Sequence, residues 1–496
     1  MKKKGKYLNF YQSLSDEDKE KIHSFLASYE EHMDIGKTDK HLLLEDVKNA
    51  LVTLCEMGTS LDEAIKRLSS ENLGGFYAHE ALAWYPMDDA AVIYPLSMKF
   101  GKMPMFRLSC YIKDDVIPDI LQIALDFTIK RFPSFATIVR KGFFWHYLDS
   151  IKRRFHISEE KTLPCQPLKI SNVGTQSFRV QYYKNRISAE FFHVLTDGHG
   201  GMIFLKTLVA QYYTLLGVKI PHTDGVFNIN TPPKTTELTN DFERFYSKAP
   251  KTGGFAGPAA LQMSGRISTH SPCKVVHINL DTQTLLDKAH EMGITVTTLV
   301  LSLMFIAQRS ATEVINGTVQ MQVPVNMRKY YKSDSVRNFS MYCSIDLPVE
   351  QITTLEEIAA KVTPQLIEKA GKQEMTIMMT TAHKLVKSLR LIPLAIKIPV
   401  AKVIYGFLGD GRFSNTLSNI GNITVPEALS PYIQGFDFVL GTCVVSRASC
   451  AMITYNGTTV LSVSKNTKDP SFEEHLRTLF EGLGINSQVS ETPYYD

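Results

Sequence analysis

Residues 186–201 read Arg186-Ile-Ser-Ala-Glu-Phe-Phe-His193-Val-Leu-Thr-Asp197-Gly198-His-Gly-Gly201. The apolar residues before His193 predict a β-strand, and the apolar residues at spacings of three and four from Met202 predict a helix. One imidazole lies between the two, followed four residues later by a carboxylate and then by glycine. Because glycine lacks a Cβ and permits tight turns, the pattern is typical of a functional side chain held at a strand end.

His193 is the candidate catalytic residue of this stretch. The unperturbed pKa of histidine is the nearest to neutrality, so its side chain can take a proton from an alcohol or amine and return it. Asp197 could orient the imidazole or pair with an arginine, and we expect Gly198 to give the turn a backbone conformation that other residues resist. The alternative interpretation is a buried histidine in an ordinary loop, and the spacing of the three residues favours a functional site.

The motif His193-Val-Leu-Thr-Asp197-Gly198 resembles the His-x-x-x-Asp-Gly motif of the CoA-dependent acyltransferase superfamily, which includes chloramphenicol acetyltransferase and the condensation domains of peptide synthetases. Further stretches are similar to the alcohol acetyltransferase-like branch: Trp84-Tyr-Pro-Met-Asp88 with Ile93-Tyr-Pro95, Arg131-Phe-Pro-Ser-Phe135, Gly142-Phe-Phe-Trp145, and Val323-Pro-Val-Asn-Met-Arg328 followed by Arg337-Asn-Phe339. They occur in the expected order, and the resemblance covers the chain from about residue 80 to about residue 485.

The resemblance implies an α+β fold with two chloramphenicol-acetyltransferase-like α/β sandwich lobes and an active-site tunnel between them. The first 75 residues lie outside the resemblance, and their apolar spacing predicts a small helical N-terminal extension. The divisions are the extension at 1–75, an N-terminal lobe with the motif at 76–217, a crossing linker at 218–272 and a C-terminal lobe at 273–496. The linker carries six prolines, which suit a connecting segment. The extension is interpreted either as a helical appendage, which we favour, or as a partner-docking element.

Local patterns predict several elements within these divisions. A strand is expected at 105–112, a helix at 116–132 and a hairpin of 177–183 with 186–192 around Lys184-Asn185. In the second half a strand is expected at 436–445, and Ser418-Asn-Ile-Gly-Asn422 is expected to form a loop before a strand.

The resemblance also implies the roles of the site residues. His193 is the general base, no covalent acyl-enzyme is formed, and Asp197 and Gly198 are structural. Arg328 is the partner that the motif assigns to Asp197, with Arg337 as the second candidate. Ser418 or Asn419 could line the tunnel or donate to the oxyanion, or could belong to a simple polar turn. The residues that bind acyl-CoA, the co-substrate, are not identified.

Composition excludes some other classes of function. The chain of 496 residues is 44% hydrophobic and 21% charged, as in an ordinary soluble protein, and its net charge of +4 gives no reason to expect nucleic acid. Seven scattered cysteines without a Cys-x-x-Cys pair indicate neither a zinc site nor a disulfide framework. We expect no metal site, no permanently bound cofactor, no transmembrane span and a cytoplasmic location.

The stretch 384–402 alternates basic and apolar residues and includes Lys387, Arg390, Lys397 and Lys402. The favoured interpretation is a core helix whose lysines reach solvent. It could also cover the tunnel mouth and contact a lipid-like substrate or the phosphates of CoA, or lie on a membrane surface as a peripheral contact.

Three hypotheses for the function follow. The first is a CoA-dependent O- or N-acyltransferase that moves an acetyl or longer acyl group to a hydroxyl or amine acceptor. The second is a condensation-like module of a natural-product or lipid pathway, whose donor is tethered to an acyl carrier protein. The third is a non-catalytic binding protein that keeps the fold.

Overall fold

The structure is a computed structural model that describes residues 2–73, 83–97, 103–171, 174–247, 259–400, 410–442 and 445–492. The helices in this part of the chain are α1 (Lys2–Gln12), α2 (Asp16–His32), α3 (Lys37–Glu56), α4 (Leu61–Arg67), α5 (Ile93–Ser97), α6 (Pro118–Ile129), α7 (Gly198–Leu215), α8 (Asp241–Phe245), α9 (Thr282–Glu291), α10 (Val296–Ser310), α11 (Leu355–Lys369), α12 (Lys372–Ser388), α13 (residues 394–400) and α14 (Ser471–Gly482).

The strands in the same part are β1 (Trp84–Pro86), β2 (Met105–Ile112), β3 (Thr137–Lys141), β4 (His146–Ser150), β5 (Ile157–Glu159), β6 (Ile170–Ser171), β7 (Gly174–Gln176), β8 (Phe178–Tyr183), β9 (Arg186–Phe192), β10 (Lys274–Asp281), β11 (Thr318–Asn326), β12 (Ser340–Pro348), β13 (Asn415–Asn422), β14 (Ile433–Leu440), β15 (Ala448–Tyr455), β16 (Thr458–Lys465) and β17 (Ser487–Glu491). Two sheets of five and seven strands, each with helices packed on it, form the two lobes, and the predicted α+β fold is confirmed.

The sheet of the N-terminal lobe has the order β14-β2-β9-β8-β5. Strand β9 is central and antiparallel to both β2 and β8, and the predicted two-residue turn at Lys184 and Asn185 closes the β8–β9 hairpin. Lys184 has a φ of 48°, which such a turn requires. Because alternate residues of a strand face opposite sides, Phe191 of β9 enters the core with Phe106 and Phe204. The strand ends directly before His193 and so delivers it.

The sheet of the C-terminal lobe has the order β12-β11-β13-β15-β16-β10-β17 and is covered by α10, α11 and α14. A smaller sheet, β1-β4-β3-β7-β6, extends the N-terminal half. Its β3–β4 connection contains Phe143 and Phe144, two large side chains that are exposed to solvent.

Strand β14 crosses between the lobes. The sequence-based division at 273–496 assigns it to the C-terminal lobe, but it is hydrogen-bonded antiparallel to β2 at the edge of the N-terminal sheet. The reason is packing, because Phe436 and Phe438 are buried in the core of the N-terminal lobe and Phe438 meets Phe106 edge to face. An apolar pattern predicts a strand there, but it does not say which sheet the strand joins.

The helices α1–α4 are not a separate appendage. Helix α3 packs on α6, and its buried Leu43, Val47 and Leu51 lie in the same hydrophobic core as the N-terminal sheet. Arg154 of the N-terminal lobe forms a hydrogen-bonded ion pair with Asp46 of α3. The extension is therefore part of the packed N-terminal lobe.

Two segments differ from their predicted state. Residues 418–422, expected to be a loop, belong to β13, which pairs in parallel with both β11 and β15 and has a bulge between Asn419 and Gly421. This polar sequence has weak strand propensity, so its pairing with β15 determines its conformation, since β11 pairs only with Asn415 and Thr416 at the start of the strand. Within 384–402, α12 ends at Ser388 and Leu391 is 77% exposed, so the favoured core-helix interpretation is wrong for the described residues, and Lys402 lies outside them.

No single helix of the described ranges has the length and apolar character of a membrane span, and α9 with α10 reaches that composition only as a pair bent by 87°.

We expect Leu51→Ala to lower the free energy of unfolding by about 2–5 kcal/mol, because the truncation opens a cavity in the shared core. Leu51 is fully buried, whereas Leu42 on the same helix is 42% exposed. Leu42→Ala is the matched control, with an expected change within about 0.5 kcal/mol in denaturant unfolding. Equal effects of the two substitutions would mean that α3 does not share the core of the lobe.

Candidate active site

His193 lies at the contact between the two lobes. Its backbone N–H donates to the carbonyl oxygen of Pro104 at 2.9 Å, which continues the pairing of β9 with the chain before β2. Its imidazole is partly buried between aromatic rings, with ring centroids 5.0 Å from Tyr94 and 5.1 Å from Phe106. The ring is therefore confined by the N-terminal lobe on two sides.

Asn338 of the C-terminal lobe holds both the backbone and the ring of His193. Its side-chain Nδ2 donates to the carbonyl oxygen of His193 at 2.6 Å, and its Oδ1 lies 3.0 Å from Nδ1 of the imidazole. An amide oxygen can only accept, so this network assigns the proton to Nδ1 of His193. Nε2 then carries the lone pair, and it has no hydrogen-bond partner among the described residues. This is the tautomer that a general base at Nε2 requires.

Burial lowers the pKa of His193 below its ordinary value, although the charge of Asp197 and the hydrogen bond with Asn338 raise it. Removal from water disfavours the charged imidazolium. The ring is consequently neutral at pH 7 and able to accept a proton.

Asp197 does not contact the ring of His193 by a hydrogen bond but joins the two lobes. Its Oδ1 caps α7 by accepting the N–H of Gly200 at 3.1 Å. Its Oδ2 accepts from Nη1 of Arg328 at 2.7 Å and from the N–H of Phe339 at 2.8 Å. Burial raises the pKa of Asp197, but the Arg328 guanidinium and these hydrogen bonds outweigh burial and hold the pKa below its usual value.

Arg328 also fixes the chain that carries Asn338. Its Nη2 donates to the carbonyl oxygens of Ser335 and Arg337, both at 2.7 Å. We call residues 335–339 the clamp, because this buried segment supplies both Asn338 to His193 and the Phe339 N–H to Asp197. One arginine thus connects the capping carboxylate of α7 to the clamp.

Arg337, the second candidate partner of Asp197, pairs elsewhere. Its Nη2 lies 3.3 Å from Oδ1 of Asp88, and its Nη1 donates to the carbonyl oxygen of Leu238 at 3.1 Å. The Oδ2 of Asp88 in turn accepts the N–H of Asn338 at 3.2 Å. The stretch that contains Asp88 therefore supports the clamp from the N-terminal lobe.

The motif residue Arg131 supports the clamp through the linker. Its guanidinium binds both carboxylate oxygens of Glu237, at 2.6 and 2.9 Å, and the carbonyl oxygen of Glu237 accepts the N–H of Val336 at 3.0 Å. Paired contacts of this kind fix geometry better than single ones.

The role expected for Gly198 is wrong. Gly198 begins α7 and its φ is not among the positive values of the glycines, so no unusual backbone is needed there. The close approach occurs at Gly200, where an added Cβ would lie 2.0 Å from the carbonyl oxygen of Val336 in the clamp. At Gly198 an added Cβ would meet the end of the Ile420 side chain at 3.1 Å.

Ser418 and Asn419 are placed on β13, with different surroundings. Asn419 is exposed, and its side-chain Nδ2 donates to Oγ1 of Thr297 at 3.1 Å while its Oδ1 accepts the N–H of Gly421 at 2.8 Å. These contacts occupy the amide of Asn419 in the β13 bulge. Ser418 is partly buried, and its neighbour Ile420 lies beside Gly198. A role in binding the oxyanion stays a prediction for Ser418, as does the tunnel itself.

Sequence reasoning did not assign a role to Asn338, Phe339, Asp88 or Tyr94. All four occur within stretches that resemble the superfamily, Arg337-Asn-Phe339, Trp84-Tyr-Pro-Met-Asp88 and Ile93-Tyr-Pro95. The signal was present, but the side-chain contacts across the lobes were needed to interpret it. His199, the other imidazole of the motif, is exposed on the first turn of α7.

Gly200→Ala should destabilise the protein by about 3 kcal/mol or more, because the added methyl group meets a backbone carbonyl that cannot move alone. Gly198→Ala is the matched control in the same helical turn. There the obstacle is a flexible side-chain end, so we expect a change within about 1 kcal/mol. Denaturant unfolding of both variants measures the difference, and similar values for the two would contradict the close approach of α7 and the clamp.

No protein-family model matches this chain, and no curated protein sequence matches it either. Several solved structures resemble this chain in fold. The TRI101 protein of F. graminearum complexed with coenzyme A and T-2 mycotoxin has a TM-score of 0.55 at 10% identity, over 82% of this chain and 99% of that one. The TRI3 trichothecene 15-O-acetyltransferase of Fusarium sporotrichioides has a TM-score of 0.54 at 10% identity, over 80% and 94%.

A third structure is the first condensation domain of the calcium-dependent antibiotic synthetase, with a TM-score of 0.50 at 11% identity, over 82% of this chain and 95% of that one. Identities at this level show a shared fold. The chain therefore shares the two-lobed α+β fold of these acetyltransferase and condensation-domain structures.

Proposed function

We propose that this protein is an acyltransferase that moves an acetyl or longer acyl group from a CoA thioester to a hydroxyl or amine acceptor, with His193 as the general base. The observation that carries the proposal is the imidazole held by Asn338 with its proton on Nδ1, which leaves Nε2 as the basic atom at the contact between the lobes.

The proposed step uses His193 directly. Nε2 takes the proton of the acceptor O–H or N–H while the acceptor oxygen or nitrogen attacks the carbonyl carbon of the thioester. The tetrahedral intermediate then collapses, its C–S bond breaks, and the thiolate of CoA leaves and takes up the proton. A base in position contributes roughly 10²- to 10⁴-fold, and alignment of the two substrates supplies a larger share of the acceleration.

The other contacts of the site position this base. Asn338 fixes the tautomer, and the burial that lowers the pKa of His193 keeps the ring neutral at pH 7. Asp197 and Arg328 act on the base only through the clamp, so we assign them a structural role. Loss of either member would leave a buried charge uncompensated, at a cost of about 3–5 kcal/mol.

The comparisons support CoA as the carrier of the acyl group, because the TRI101 protein with the same fold is a complex with coenzyme A. They equally include a condensation domain, so the donor could be a thioester on a carrier protein. The non-catalytic hypothesis is disfavoured, since a protein that only binds has no need of a base held in one tautomer.

The test is thiol release from acetyl-CoA and longer acyl-CoAs in the presence of a pool of alcohols and amines. We expect release that requires an acceptor, and a decrease of about 10²- to 10⁴-fold in His193→Ala. His199→Ala is the matched control, because His199 lies in the same motif but is exposed, and it should retain wild-type turnover.

Turnover that survives His193→Ala would contradict the assignment of the base. If wild type releases no thiol from any CoA ester but transfers acyl groups from an acyl carrier protein, the base assignment stands and the donor assignment is wrong. If His199→Ala loses as much activity as His193→Ala, the loss reflects disturbance of the whole motif, and the assignment of His193 as the base is contradicted.

A further inference from the structure

One surface, formed by residues outside the His193 motif, exposes large apolar side chains. Phe143 and Phe144, on the β3–β4 connection, are 72% and 38% exposed, and their rings meet edge to face at 4.8 Å. Beside them the end of α12 and the segment that includes α13 expose further aliphatic side chains, namely Leu385, Leu391, Ile392, Ile396 and Val400. We call these seven residues the apolar surface. Soluble proteins rarely expose apolar side chains in such groups unless the surface binds something.

Specific contacts join the β3–β4 connection to the segment that includes α13. The N–H of Leu394 donates to the carbonyl oxygen of Phe143 at 2.8 Å. Lys397 is buried, its Nζ donates to the carbonyl oxygen of Phe144 at 2.9 Å, and the same atom lies 3.2 Å from the centre of the Trp145 ring. These contacts fix α13 against the β3–β4 connection. The apolar side chains of both segments are therefore held in place by the fold.

The charged residues of the stretch that carries the aliphatic part of the apolar surface have a single sign. No acidic residue occurs between Glu374 and Asp410, whereas this stretch contains four lysines and one arginine. Lys387 and Arg390, at the end of α12, are exposed beside Leu385 and Leu391, and Lys141 is exposed at the end of β3. Exposed cations therefore lie on the same segments as the apolar side chains.

We propose that the apolar surface docks this protein on an anionic membrane surface. Aromatic and aliphatic side chains that protrude from a folded protein enter the boundary between lipid headgroups and acyl chains, and neighbouring lysines and arginines are attracted to anionic lipids. The protruding Phe143 and Leu391 supply the first interaction, and Lys141, Lys387 and Arg390 supply the second. The proposal does not depend on the chemistry proposed for His193.

A series of hydrogen bonds runs from α12, whose end belongs to the apolar surface, to the candidate active site. Helix α12 carries His383, whose Nδ1 lies 2.7 Å from Oδ2 of Asp89. Asp88, the preceding residue, accepts the N–H of Asn338, which holds His193.

The test is sedimentation of the full chain with vesicles of phosphatidylcholine alone and of phosphatidylcholine mixed with phosphatidylserine. We expect binding to the mixed vesicles at low ionic strength, at least tenfold weaker binding to phosphatidylcholine alone, and weakening by salt, since ions screen exposed charges.

Two variants separate the contributions. The double variant Phe143→Ser with Leu391→Ser should weaken binding to mixed vesicles by at least about tenfold, because each substitution removes a large apolar side chain that enters the lipid in the bound state. Lys387→Gln with Arg390→Gln should weaken it by about fivefold per charge and reduce its salt dependence. The control for the apolar variant is Ile315→Ser with Ile367→Ser, two side chains outside the apolar surface that are 68% and 72% exposed. The control for the charge variant is Lys113→Gln with Lys219→Gln, two exposed lysines outside the apolar surface.

All variants should keep the wild-type melting temperature, which shows that they are folded. The proposal is overturned if wild type does not sediment with mixed vesicles, or if the control variants lose as much binding as the others. It is also overturned if the Phe143 and Leu391 substitutions abolish a dimer or binding to an acidic carrier protein while vesicle binding is absent.

Discussion

The carboxylate of Asp197 is the point on which the site depends, because it connects three parts of the molecule. It caps α7, accepts the N–H of Phe339 in the clamp and pairs with Arg328 of the C-terminal lobe. Burying a carboxylate is unfavourable unless charge and hydrogen bonds compensate it, and here all its contacts come from the elements that must be held together. The guanidinium of Arg328 is compensated in the same way, because it also donates to two carbonyl oxygens of the clamp.

The position of His193 follows from this connection. The clamp is held by Arg328, by Asp88 and, through Glu237, by Arg131, and so Asn338 meets the imidazole in one orientation. Strand β9 fixes the backbone of His193 from the N-terminal lobe. The backbone of His193 is therefore held by the N-terminal lobe and its ring by the C-terminal lobe. A change in the packing of the two lobes should alter the orientation of the imidazole before it disturbs the hydrophobic core of either lobe.

The sequence predicted local elements well where the chain's own pattern determines them. The strand at 105–112 and the hairpin that delivers His193 are in the structure as expected, because alternation and the Lys184-Asn185 turn are local signals. Partners distant in sequence were predictable only through the superfamily motif, as for Asp197 and Arg328. The roles of Asn338, the crossing of β14 and the close approach at Gly200 depend on packing between the lobes, which no local pattern encodes.

The most direct test of this account is a nitrogen NMR measurement of the His193 imidazole, in protein labelled at its histidine nitrogens, with His193→Gln used to assign the signal. The account predicts that at pH 7 the ring is neutral with its proton on Nδ1 and a bare Nε2, and that it titrates below the ordinary histidine pKa of about 6.5. A proton on Nε2, or a cationic ring at pH 7, would contradict it, because neither form has a lone pair on Nε2 to accept the proton of the acceptor.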